Sequence, residues 1–287
     1  MTHTRHLLSR PSFYRLGFAG AGLFPRSLLY RVADGIGEAS YLAYGEAARI
    51  VCANLRRVFP ELPDRQIARM ARKTFRNFAR YLVDYGRFRA LPPEKAGRVL
   101  TDMEGKEYMD AAFRDGRGVI LVTGHIGNWE LGGIFFGQQG VKINVATFPE
   151  GSARIDAIRE RYRSAHRIHT ILLDGSPFAP LEMMAALRRG EIVAMLVDRW
   201  GKEEGVEAEF FGAPRFFPEG PFVLSRATGA WILPAFVVRQ GEHYQGIAEE
   251  PFVVEGEDTA PYARKMAEAL QRVIRRYPDQ WYNFLPA

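Results

Sequence analysis

The chain has 287 residues, 47% of them hydrophobic and 25% charged, a globular balance that excludes a disordered protein and suffices for one large core. Its 39 Lys and Arg against 33 Asp and Glu leave a net charge of +6, which favours anionic partners such as a phospholipid surface or an acidic carrier; no nucleic-acid recognition motif accompanies that charge. The single cysteine, Cys52, excludes an internal disulfide framework and any multi-cysteine metal site.

From residue 1 to 31 there are arginines at 5, 10, 15, 26 and 31 and no acid, interleaved with Leu7, Leu8, Phe13, Leu16, Phe18, Leu23, Phe24, Leu28 and Leu29. Basic side chains mixed with bulky apolar ones suit a segment lying in the headgroup region of an anionic bilayer; the alternative is an amphipathic helix docked on its own core. The longest charge-free stretch of this segment, Leu16 to Pro25, falls far short of the roughly 20 residues a span requires. Arginines also interrupt the apolar run that a cleaved signal peptide needs.

Residues 27–58 and 63–90 read as helices. In the second, Ile67, Met70, Ala71, Phe75, Phe78, Leu82 and Val83 recur at helical spacing opposite a face of Arg and Lys. Gly118-Val-Ile-Leu-Val122 is then a short buried strand, Gly124 lets the chain turn, and Asn128 caps a helix starting with Trp129 and Glu130. Strand candidates follow at 141–148, 168–173, 191–197, 231–238 and 245–254, with helices at 182–189 and 262–277. This alternation predicts an α/β fold: a mixed, largely parallel sheet flanked by helices, behind a helical N-terminal segment. One domain over 1–287 accommodates it, with 1–31 contacting a membrane, 32–95 helical and 96–287 the α/β core.

The chemistry concentrates after the first strand, where His125 and Glu130 stand five positions apart. A carboxylate about one helical turn beyond a histidine can hold one ring nitrogen while the other faces a substrate, the arrangement of a general base. No Ser or Cys lies inside the motif as a covalent nucleophile, so the substrate supplies its own. A second charged pair, Asp198-Arg199, ends the strand Glu191–Val197, where open α/β sheets bind ligands. Arg199 has the planar fork that grips phosphate or carboxylate, with Asp198 orienting it; the alternative is an ion pair closing a loop. A metal held by His125, Glu130 and Asp198 lacks the second histidine usual in such sites, so no metal is expected.

His125-Ile-Gly-Asn-Trp-Glu130 resembles the His-X4-Glu motif of the bacterial lipid A late (lauroyl/myristoyl) acyltransferases, within the lysophospholipid and glycerolphosphate acyltransferase superfamily. The resemblance covers most of the chain. Asn54-Leu-Arg-Arg-Val-Phe-Pro60 and Phe75-Arg-Asn-Phe-Ala-Arg80 look like that family's N-terminal helical region. Leu187–Val193 leading to Asp198-Arg199, Phe210-Phe-Gly212, Pro218-Glu-Gly-Pro221, Ile232-Leu-Pro234 and Tyr277-Pro-Asp-Gln-Trp281 look like its later blocks. The resemblance implies a glycerolphosphate-acyltransferase-like fold and His125 as general base with Glu130. It also implies an acyl carrier protein or acyl-CoA as donor substrate, no cofactor, a lipid acceptor, and peripheral attachment to the cytoplasmic face of the bacterial inner membrane.

Phe217-Pro-Glu-Gly220 is similar to the glycerolphosphate acyltransferase block whose glutamate and backbone contact the acceptor's polar head, which makes Glu219 and Gly220 acceptor-binding candidates. The lipid A branch has Thr-Gly here, so lipid A precursor, lysophospholipid, glycolipid and aminolipid all stay open as acceptors. The start of the Asn128 helix, or Arg199, offers donors to a tetrahedral oxyanion. The lipid A enzymes also have an important arginine in the region that here holds Arg154, Arg159, Arg161, Arg163 and Arg167; which of these corresponds is open, and the alternative is a solvated helix face. Two other classes use the same residues: a thioester or ester hydrolase, and a membrane-binding module without catalysis. The absence of a Gly-X-Ser-X-Gly elbow argues against a serine lipase.

Overall fold

The computed structural model describes residues 24–90, 99–138, 140–149, 153–199 and 204–286. The first 23 residues, and with them most of the expected membrane-contacting segment, lie outside these. Two compact units are formed by the described residues: 24–90, 125–127 and 272–286 make up one, 99–124 and 128–271 the other.

In the first unit the helix expected over 27–58 is two helices, α1 (Arg26–Ala43) and α2 (Gly45–Val58), broken at Tyr44, whose φ of −112° and ψ of 68° are not helical. The third, α3 (Asp64–Ala90), runs as predicted, and its stripe of Ile67, Ala71, Phe75, Phe78 and Leu82 is buried. Gly37 lets α1 and α3 approach closely: a Cβ there would stand 2.6 Å from the Arg76 Cα. The end of the chain packs on α3. Phe284 meets Phe75 and Phe78 edge-on, each at 5.2 Å between centroids, and Tyr282 lies 5.3 Å from Phe78. Two buried amides fix its backbone: Asn54 donates to the carbonyls of Asn283 (3.0 Å) and Leu285 (2.8 Å), and Asn77 to that of Asp279 (2.9 Å).

The second unit holds a seven-stranded sheet with β1 (Leu100–Glu104), β2 (Val119–Thr123), β3 (Ile143–Thr147), β4 (Ile168–Leu172), β5 (Ile192–Leu196), β8 (Trp231–Gln240) and β9 (His243–Ala248), in the order β1-β9-β8-β2-β5-β3-β4. Every neighbouring pair is parallel except the β8–β9 hairpin. The sheet is therefore mixed and largely parallel, as the sequence predicts. Its central strand β2 is buried at all five positions, which is why it reads as an unbroken apolar run. Between the strands run α4 (Lys106–Phe113), α5 (Trp129–Gln138), α6 (Ala153–Ala165), α7 (Phe178–Arg188) and α8 (Gly220–Thr228); α9 (Ala260–Arg276) comes after them. A separate two-stranded antiparallel sheet is the hairpin of β6 (Val206–Phe210) and β7 (Ala213–Phe217). Among the described residues no helix is long and apolar enough to cross a membrane.

Candidate active site

The chain leaves β2 through Gly124 and enters the half-buried His125. Residues 125–127 pair with the fixed end of the chain. The Tyr282 N–H donates to the His125 carbonyl (2.8 Å), the Gly127 N–H donates to the Gln280 carbonyl (2.9 Å), and Ile126 forms an antiparallel bridge with Trp281. The blocks around Asn54, Asn77 and Trp281 thus act together, holding the backbone on which the His125 segment is laid.

Asn128 performs the capping expected of it. Its Oδ1 accepts the Leu131 N–H at 3.1 Å, at the third residue of α5, and its own N–H donates to the Val237 carbonyl at 2.7 Å. In the same first turn of α5 Glu130 is buried, 4% exposed. Sequence reasoning pairs Glu130 with His125; within the second unit its carboxylate is held by Arg163 of α6. Arg163 Nη2 donates to Oε1 at 2.8 Å and Nε to Oε2 at 3.4 Å, with the Arg163 side chain 2% exposed. Burial pushes the Glu130 carboxyl up, yet Arg163, helped by Arg159 and His166, holds it below the usual carboxylate range. Arg159 and Arg163 stand four residues apart on one face of α6, and His166 follows in the turn after it. Among the described arginines of this stretch, Arg163 is buried on Glu130, while Arg161 and Arg167 are exposed.

An apolar pocket lies between α5 and the sheet. Trp129, Gly132, Gly133, Phe135 and Phe136 of α5 form one wall, and Leu121, Val145, Ala194, Met195 and Val237 of the strands the other. Thr123, Glu130 and Arg163 supply its polar lining. An apolar cavity with an ion pair in its lining suits an apolar chain bearing a polar head.

Asp198 and Arg199 come directly after β5, beside the end of β2, where the Val197 N–H donates to the Thr123 carbonyl at 2.9 Å. Asp198 is wholly buried and Arg199 half-buried. Arg215 of β7, which sequence reasoning did not single out, donates to the Asp198 carbonyl at 2.6 Å. Glu219 and Gly220 are exposed at the start of α8. The Glu219 carbonyl accepts the N–H groups of Phe222 (2.9 Å) and Val223 (3.1 Å), so the Pro-Glu-Gly block opens that helix.

The chain is an enzyme that transfers acyl groups, as the family it matches and its named relatives do. The chain matches the family of bacterial lipid A biosynthesis acyltransferases along residues 1–287, and it belongs to that family. It is 26% identical over 217 residues to the phosphatidylinositol mannoside acyltransferase of Mycobacterium tuberculosis (strain H37Rv), covering 73% of this chain and 67% of that one. It is 28% identical over 283 residues to the lipid A biosynthesis lauroyltransferase of Escherichia coli K12, covering 93% and 89%. The phosphatidylinositol mannoside acyltransferase of Mycolicibacterium smegmatis is 24% identical over 279 residues, 94% and 90% of the two chains.

Proposed function

We propose that the protein moves a fatty acyl group from an acyl thioester, carried by acyl carrier protein or CoA, to a hydroxyl or amine of a membrane lipid. The work is done at the cytoplasmic face of a bacterial inner membrane, with the protein attached peripherally. His125 acts as general base. It takes the proton of the acceptor, whose oxygen or nitrogen attacks the thioester carbonyl; the tetrahedral oxyanion collapses, the carbon–sulfur bond breaks, and the thiolate leaves with the proton from His125. Glu130 stabilises the imidazolium formed on the way. Backbone N–H groups at the start of α5, or Arg199, stabilise the oxyanion. Glu219 and Gly220 receive the acceptor's polar head, and Asp198 orients Arg199. The steps balance without a metal or redox cofactor.

The observation that carries this reading is the buried Glu130–Arg163 pair, 2.8 Å apart, lining an apolar pocket. Relatives named for both lipid A and phosphatidylinositol mannoside acylation support a glycolipid acceptor. The test is incubation with radiolabelled acyl carrier protein, then acyl-CoA, and a total membrane lipid extract, with His125→Ala in parallel. A labelled lipid is expected from the wild type, and the variant should be slower by about 10²–10⁴-fold, the usual worth of a general base. Near-wild-type turnover in the variant overturns the mechanism. Free labelled fatty acid in place of a lipid product makes the protein a hydrolase.

A further inference from the structure

The pocket beneath α5 extends across the sheet to its edge. Arg163 and Ile168 line it on the side of β4, while Leu100 and Met103 line it from β1, at the opposite end of the strand order. On the β4 side α5 lies hard against the sheet, since a Cβ on Gly133 would meet the Ile168 Cδ1 at 2.9 Å. The lining also continues the other way, past Val237 of β8 and Gly246 of β9 to Met103 and Leu100 of β1.

We infer that Met103, backed by Gly246, forms the end wall of this lane and sets the length of the acyl chain the enzyme transfers; the inference rests on the acyl-transfer reading above. A β-bulge between Leu100 and Asp102 resets the alternation of β1, so Leu100 and Met103 both turn to the pocket side. Met103 pairs with Gly246 of β9, and its thioether lies over that glycine: the Sδ sits 2.3 Å from where a Gly246 Cβ would be. The missing side chain at 246 is thus the seat of the methionine. A flexible, unbranched thioether is a wall whose position depends on that seat. Removing it lengthens the lane, and filling the seat pushes it inward.

Two substitutions test this with opposite signs. Met103→Ala should shift the product toward longer chains and Gly246→Ala toward shorter ones. The readout is the mass profile of the lipid product from an equimolar mixture of acyl donors from decanoyl to stearoyl. For Met103→Ala, the ratio of the product two methylenes longer to the wild-type favourite should rise on the order of ten-fold, because each buried methylene adds severalfold to binding. Unchanged profiles in both active variants, with wild-type transfer intact, overturn the assignment of Met103 while leaving acyl transfer standing. Absence of any acylated lipid from the wild type overturns the acyl-transfer reading, and this inference falls with it. A loss of activity in one variant leaves the other, of opposite sign, to decide.

Discussion

Glu130 and Arg163 are a carboxylate and a guanidinium withdrawn almost entirely from water, and their cost in desolvation is offset only while both are present. Glu130→Gln leaves Arg163 charged and buried without its partner and should destabilise the fold by about 3–5 kcal/mol. The double variant Glu130→Leu, Arg163→Met buries no charge and should be much closer to the wild type; urea unfolding of the three proteins measures this. The pair also fixes a pH dependence. Glu130 titrates lower in the folded chain than in the unfolded one, where a glutamate has a pKa of roughly 4.3. Its contribution is therefore complete above that unfolded value and is lost as the pH falls through the lower folded value. Thermal unfolding followed from neutral to acid pH should show a fall in the wild type confined to the acid side, and a smaller fall from this source in the double variant. The Arg163 partnership was only half legible. The cluster from 154 to 167 stands out in the sequence, but which arginine turns inward depends on the facing of α6, and on Glu130 lying 33 residues earlier in the chain.

Helix α5 begins where Asn128 says it should, because the cap is a local contact between a side chain and an amide three residues on. Asn128→Ala should cost about 1 kcal/mol and Asn128→Asp or Ser much less, read as shifts in the urea midpoint. Other elements were hidden for physical reasons that can be named. β1 is a bulged edge strand exposed at three of five positions, so it has no apolar run to read. The hairpin β6–β7 turns on Phe211 and Gly212, with φ of 54° and 76°. Two positive φ values are what a two-residue primed turn needs, and a phenylalanine in the first place conceals the usual Asn-Gly or Gly-Gly signal. β9 starts two residues before the predicted 245 and stops at Ala248, since its length is set by pairing with β8 and not by its own composition.

For the molecule as a whole, the net charge of +6 combines with large apolar side chains left in solvent on α1. Leu28, Val32 and Leu42 are 43%, 54% and 66% exposed. Such a surface should bind vesicles rich in phosphatidylglycerol and pass over neutral phosphatidylcholine. Cosedimentation should weaken as salt rises from about 0.1 to 1 M, as the Debye length shrinks from about 10 to 3 Å. Equal binding to both vesicle types at all salt concentrations contradicts an electrostatic attachment.

Read alone, the sequence determined whatever depends on near neighbours. The unbroken apolar run of β2, the turn through Gly124, the cap at Asn128 and the stripe along α3 are all of this kind, because periodicity and capping act within a few residues. Tertiary structure decided what those groups meet. It gave Glu130 its guanidinium, laid residues 125–127 along the chain's end through Asn54 and Asn77, and seated Met103 on Gly246, 143 positions later in the register of β1 and β9. These are contacts between distant segments, fixed by strand order and helix facing, and a composition or a local period contains no record of either.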